Sequence, residues 1–210
     1  MKKSIIYLCF YIITTQSYGY EYSEDQFNNA QGYYVAFNSG SGSVQASTIT
    51  SEFVTGHASC QITYSFNPGE GSYFTALRNY GTTTKDWGQG LIGYYLKVKG
   101  GNENTAIQLR IWEDHNGDGQ FNGEDEVHVS SKYNANSNTF EDIQILAMTF
   151  SKVTGNGDGI VNFNRIRAWD IAVSNTSSSA QNGTLYIDEL RLVNNQTLPT
   201  NARNNYQGHS

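Results

Sequence analysis

Residues 114–125 read "DHNGDGQFNGED". Oxygen-bearing groups recur through this stretch at the spacing of a calcium-binding loop. Asp114, Asn116 and Asp118 stand at its first, third and fifth positions, and Gln120 brings a main-chain carbonyl to the seventh. Asn122 and Asp125 follow at the ninth and twelfth. Gly119 sits at the sixth, where such a loop turns sharply. Calcium is a hard ion that takes several oxygens at ~2.3–2.6 Å, and this spacing supplies them from one segment. Two features depart from the EF-hand pattern. Asp125 is shorter than the glutamate usual at the last position, and the flanking residues alternate like strands rather than helices. The alternative is a solvated hairpin loop whose Asp and Asn side chains cap local turns. Its carboxylates would then repel one another, so a loop holding Ca2+ is the expectation. A second stretch, "TGNGDGIVN", lacks the first acid and the last, and reads as a turn before a strand.

Other reaction chemistry finds little support. His57, His115, His128 and His209 are scattered, with no paired spacing for zinc and no serine–histidine–aspartate order. A carboxylate pair for glycoside hydrolysis stays open, because such pairs are defined in space.

The elements that must carry these residues are strands. "CQITYSF" sets Cys60, Ile62, Tyr64 and Phe66 on one face; "YYLKVKG" sets Tyr94, Leu96 and Val98 together; "AIQLRIWED" sets Ile107, Leu109 and Ile111 inward. "EVHVSS", "FEDIQILAMTF", "RIRAWDIAV" and "TLYIDELRLV" continue the series. Turn signals separate the runs, among them "NPGEG", "KGGNEN" and "NANSN". No helical period of useful length occurs. Many short strands with one apolar face predict an all-β fold: a two-sheet antiparallel β-sandwich of jelly-roll type. Trp87 and Trp169 are expected in its core, and Cys60 as a buried, inert thiol.

With 210 residues and a net charge of −6, the chain suits one domain and has no basic block, which argues against a nucleic-acid partner. Lys2 and Lys3, the apolar run Ile5–Ile13 and small residues at Thr15, Ser17 and Gly19 form a secretory signal pattern, too short for a membrane span. The expected organisation is a signal peptide over 1–19, a β-sandwich over 20–193 and a polar tail over 194–210. The expected location is extracellular or at the cell surface. Loss of the signal leaves Cys60 without an intrachain disulfide partner.

Read in order, "WGQGLIGYYLKVKGG", "IQLRIWEDHNGDG", "GDGIVNFNRI" and "TLYIDEL" resemble the jelly-roll carbohydrate-binding modules of the family eleven type and their relatives. The resemblance covers most of the chain after the signal. It implies a concave sheet face that holds glycan, and a structural calcium shared between an N-terminal acid and the aspartate of the last strand. Asp188 matches that aspartate, while for the N-terminal acid the chain offers Glu21, Glu24 and Asp25, of which Glu21 is favoured. Where those modules often carry Asp in the "GDG" turn, this chain has Asn162.

Sugar rings present apolar faces edged by hydroxyls, which flat aromatics and polar side chains hold together. The outward positions of two strands offer Tyr95, Lys97, Gln108, Arg110 and Trp112, with Asp170 from "RAWDIAV". Tyr33 and Tyr34 are further candidates. Three function classes remain open at this point. The first is a secreted, non-catalytic protein binding a polysaccharide or other glycan. The second is a self-associating surface fibre or matrix protein with cell-surface partners. The third is a jelly-roll hydrolase or lyase.

Overall fold

The computed structural model describes residues 20–28, 34–35, 42–68, 73–88 and 91–194. The signal segment 1–19, Tyr33 and the tail from 195 onward lie outside the described residues. Eleven strands follow in chain order: β1 Tyr20–Asp25, β2 Tyr34–Val35, β3 Ser43–Ile49, β4 Ser59–Phe66, β5 Tyr73–Asn79 and β6 Leu91–Glu113. Then come β7 Glu126–Val129, β8 Tyr133–Leu146, β9 Ser151–Thr154, β10 Ile166–Asn175 and β11 Gln181–Asn194. All pairings are antiparallel. No α-helix occurs among the described residues, as the missing 3.6-residue period predicts.

The strands form a β-sandwich hinged on β6. The first half of β6 pairs with β11, which pairs in turn with β4, and β4 with β3. The second half of β6 pairs with β10 and β7, and β10 leads to β5 and β2. Inward residues of both halves, Tyr94, Leu96 and Val98 and then Ile107, Leu109 and Ile111, enter one buried cluster. Cys60, Ile62, Tyr64 and Phe66 join from β4, and Trp169, Ile171 and Val173 from β10. The alternation read from the sequence therefore sets the core side of these strands. Trp87 and Trp169 are buried as expected. The Cys60 thiol is buried too, and burial pushes its pKa up to about 12, so it stays protonated and unreactive.

Two expected turns are strand instead. "KGGNEN" continues β6 from its first half into its second, and "NANSN" belongs to β8. The reason is mutual pairing: Gly100 faces Ser137 and Gly101 faces Asn136, with register shifts on either side. The ladder supplies the backbone partners that an isolated turn would lack. Gly100 and Gly101 have φ of 96° and 78°, a region open to glycine at little cost. A Cβ at Gly101 would lie 2.0 Å from the Ala135 carbonyl oxygen.

Gly101→Ala should therefore cost at least about 2 kcal/mol, measurable as a lower urea midpoint with an unchanged slope. An unaltered midpoint would show that the crossing of β6 does not depend on this backbone conformation.

Candidate functional site

Register sets Tyr34, Leu77, Asp170, Arg110 and Val129 in one row across five strands of the second layer. Arg110 and Asp170 face each other across the β6–β10 ladder. The Arg110 guanidinium grips the carboxylate with two bonds, Nε to Oδ1 at 2.8 Å and Nη2 to Oδ2 at 2.5 Å. The Asp170 side chain has no solvent exposure and that of Arg110 has 18%. Such a fork is both directional and well shielded from solvent.

Trp112 lies two residues along β6 on the same face. Its ring is half-buried, with the Arg110 guanidinium 5.1 Å from the ring centroid. Phe121 meets it edge-on, with centroids 5.8 Å apart, and is itself exposed. Gln108 completes the set, its Nε2 donating to the Ser130 carbonyl at 2.8 Å. The structure thus brings Gln108, Arg110, Trp112 and Asp170 together and adds Phe121.

Tyr95 and Lys97 do not belong with them, which corrects the single outward face expected from the sequence. They lie on the first half of β6, in the other layer. There Lys97 bonds Asp142 at 3.1 Å, and Arg191 bonds Asp142 at 2.8 Å while covering the Tyr95 ring at 5.2 Å. Alternation holds within each half of β6, but its phase changes where the strand passes from one layer to the other around Gly100–Gly101, from Tyr94, Leu96 and Val98 inward to Ile107, Leu109 and Ile111 inward, so the outward sides of its halves serve different sheets. Burial alone would raise the Asp142 pKa. The hydrogen bonds from Lys97 and Arg191 outweigh it and hold the carboxyl below the usual 3.8.

The acidic loop joins β6 to β7. Asp118 Oδ2 gathers the side-chain amides of Asn116 and Asn122, each at 3.1 Å. Asp118 Oδ1 accepts the Gln120 N–H at 2.7 Å, and this bond leads in keeping the carboxyl ionised to lower pH than usual. Three of the expected ligands therefore converge, and half a turn of each amide would present oxygens to a cation. Asp125 points its Oδ2 at the Asn122 N–H, 2.9 Å away, and burial raises its pKa. Asp114 is committed elsewhere. It ion-pairs with the buried Arg167, whose other nitrogen donates to the carbonyls of Gly81 at 2.9 Å and Thr83 at 3.0 Å. Arg167 is a partner for the loop that its local spacing did not disclose.

The second calcium expectation concerns Asp188 and Glu21. Both Asp188 oxygens face donors: Oδ2 accepts the N–H groups of Val54 and Thr55, and Oδ1 accepts the Thr55 hydroxyl at 2.7 Å. These hydrogen bonds satisfy the carboxylate. Glu21 pairs through its backbone with Val193, and its side chain lies outside the described set.

Sequence reading missed one constellation. Glu113, His115, Glu126, His128 and Asp158 cluster at the end of the second layer. The signal was available in "EVHV". Glu126 and His128 stand two apart on a strand, which puts an acid and an imidazole on one face.

No protein-family model matches the sequence, and no curated protein is significantly similar to it. Solved structures share its architecture. The family 11 carbohydrate-binding module of the cellulosomal cellulase Lic26A-Cel5E of Clostridium thermocellum superposes with a TM-score of 0.61 at 14% identity, over 83% of this chain and 94% of that one. The fold is that of the family 11 carbohydrate-binding modules. The family 11 module from the same organism in complex with a β-1,3-1,4-mixed-linked tetrasaccharide gives 0.61 at 14% identity, over 84% and 96% of the two chains. A family 30 module of the C. thermocellum cellulase Cel9D-Cel44B gives 0.54 at 12% identity, over 79% and 94%. At these identities the likeness is one of fold, and it agrees with the expected jelly roll.

The two ion-pair systems should respond differently to substitution. Arg110→Ala removes a bidentate partner from a fully buried carboxylate and should cost about 3 kcal/mol. Asp142→Asn disturbs a pair whose carboxylate is 38% exposed and should cost below about 1 kcal/mol after solvent screening. Because the Asp142 pKa is depressed on folding, its contribution is complete above pH 3.8 and disappears as pH falls further. Thermal melts at pH 7 and pH 2.5 should show a smaller Asp142→Asn difference at the lower pH. A difference of the same size at both would contradict the ion-pair account.

Proposed function

We propose that this protein is a secreted, non-catalytic polysaccharide-binding protein whose ligand lies across the outward face of the second layer. The observation that carries the reading is the half-exposed Trp112 ring, held between Phe121 and the Arg110 guanidinium beside the Arg110–Asp170 pair. An apolar platform next to a fixed hydrogen-bonding fork suits a sugar ring, which has an apolar face and a hydroxyl rim. The shared fold supports the same reading, and one module with that fold is known in complex with a β-1,3-1,4-mixed-linked tetrasaccharide. The N-terminal signal pattern supports export.

Calcium in the loop over 114–125 is the second part of the proposal. Asn116, Asp118 and Asn122 would hold the ion, with Asp125 and the Gln120 carbonyl beside them. The loop carries Phe121, so a cation that orders it would also order one wall of the aromatic platform. Asp114, paired with Arg167, is left out of this ligand set.

Binding should be measured by affinity electrophoresis and calorimetry against a soluble glycan panel that includes mixed-linked β-glucan, xylan, mannan and agarose. Trp112→Ala should weaken binding at least about tenfold, equivalent to roughly 1.4 kcal/mol, with little change in Tm. Absence of binding by folded protein across the panel would overturn the reading in favour of a structural role. Release of reducing ends or unsaturated products would overturn it in favour of an enzyme.

Calcium at about one hundred times its Kd should add roughly 2.7 kcal/mol, or about 5–10 °C in Tm for a chain of this size. Asp118→Ala should abolish that difference. If chelator leaves the wild-type Tm unchanged, the loop is held by its own hydrogen bonds and by Arg167 without calcium.

A further inference from the structure

At one end of the second layer, two glutamates and two histidines meet under a cavity of about 540 Å³. The cavity is lined in part by Glu113, His115, Asp158, Ile160, Phe163 and Arg165. The β6–β7 register places Glu113 opposite Glu126, and Ile111 opposite His128. Glu126 and His128 therefore point inward together, beside Glu113. His128 Nε2 lies 3.7 Å from Glu126 Oε2 and 3.9 Å from Glu113 Oε2. His115 Nδ1 reaches to 3.8 Å from the same Glu126 oxygen.

These separations are too long for hydrogen bonds. They are close to what a shared ion requires, since ligand bonds of roughly 2.0–2.2 Å in a tetrahedral site set donor atoms about 3.3–3.6 Å apart. The carboxylates are already oriented by their surroundings. Glu126 Oε1 accepts the Gly159 N–H at 2.7 Å and pairs with Lys152 at 3.0 Å. Glu113 Oε2 accepts the Asn162 N–H at 2.7 Å, and Arg165 stands 3.6 Å from Oε1.

A second observation points to a ligand. His128 has no solvent exposure, and neither of its ring nitrogens has a hydrogen-bond partner. Glu126 Oε2, which faces it, is buried and has no hydrogen-bond partner either. Buried polar atoms are almost always satisfied. His128 Nε2 and Glu126 Oε2 lie 3.7 Å apart with no partner for either, a gap that a cation taking a lone pair from each would fill.

We infer that Glu113, Glu126 and His128 bind one divalent transition-metal ion of the zinc class, on the side facing the cavity, and that His115, which meets Glu126 and Asp158 in a second triad, reaches the same ion by turning its loop side chain. Calcium does not suit the set, because it takes oxygen ligands and two of these donors are imidazoles. Imidazole with carboxylate suits zinc and its neighbours. The ligands divide by position. Glu113, Glu126 and His128 come from the buried ends of β6 and β7, and His115 comes from the acidic loop at the cavity rim. Asp158 stands with His115 and Glu126 in a second triad and is exposed, so it supplies charge at the same rim. Lys152 and Arg165 offset the two glutamates, and no hydrogen bond fixes the second ring nitrogen of His128. Both features place the affinity below that of a structural zinc site.

The test uses the chain produced without an affinity tag, stripped with chelator and dialysed against ZnCl2. Zinc per chain is read by atomic emission, affinity by calorimetry, and ligand type by the absorption bands of Co2+ bound in its place. The expected result is one zinc per chain, a raised Tm and Co2+ bands that show nitrogen ligation. His115→Ala, at a half-buried loop position, should weaken zinc by about tenfold or more without unfolding the protein. His128→Gln and Glu126→Gln should weaken it further. Asp118→Ala should retain zinc, which separates this site from the proposed calcium loop. Folded wild-type protein that retains no zinc would overturn the inference. So would wild-type affinity in His115→Ala, loss of zinc in Asp118→Ala with retention in His115→Ala, or displacement of zinc by equimolar calcium.

Discussion

Strand β6 has to satisfy two sets of partners with one continuous backbone. Its first half needs β11 and its second needs β10, and these belong to different layers. A sharp turn would break the ladder and strand buried backbone groups without partners. A straight strand would leave one layer without its central member. Gly100 and Gly101 resolve the conflict by taking left-handed φ values while β8 keeps pairing across the bend. The core is continuous because the inward sides of both halves reach it. For the same reason the two outward sides face away from each other, so Tyr95 and Lys97 are separated from Arg110 and Trp112.

The separation sorts the charges by environment. On the first layer Lys97 and Arg191 meet the exposed carboxylate of Asp142, where solvent screening weakens each pair. Buried ion pairs concentrate on the second layer, as Arg110 with Asp170 and Arg167 with Asp114, and Lys152 with the buried Glu126. Burial makes each of these costly to break, because one charge would be left uncompensated, while desolvation offsets much of what the intact pair contributes. Asp188 is the instructive contrast, a buried carboxylate that accepts N–H and O–H groups of Val54 and Thr55.

The loop between β6 and β7 is where these features meet. It sets Phe121 against Trp112, gives Asp114 to Arg167 and places His115 beside Glu126. One short segment thus touches the proposed sugar platform, a buried guanidinium and the histidine–glutamate cluster. Its glycines and its Asp and Asn side chains allow this, because the loop closes on its own hydrogen bonds and leaves Phe121 and His115 to face outward from it.

Much of the fold was legible from local pattern. Side chains on a strand alternate with a period of two, so "CQITYSF" and "AIQLRIWED" declare which residues enter the core, and Trp87 and Trp169 could be assigned there by size. The local spacing of the acidic loop likewise shows that Asn116, Asp118 and Asn122 converge. What local pattern does not contain is the identity of a partner from a distant strand. "KGGNEN" and "NANSN" look like turns until they are paired with each other. Arg167 and Asp114, or Arg110 and Asp170, are more than fifty residues apart, and nothing in either neighbourhood names the other. The same holds for Glu113 with His128, which only the β6–β7 register brings together. Alternation is a property of one strand and is written in the sequence; which strands lie side by side, and therefore which charges and imidazoles share a site, is decided only when the whole sandwich closes.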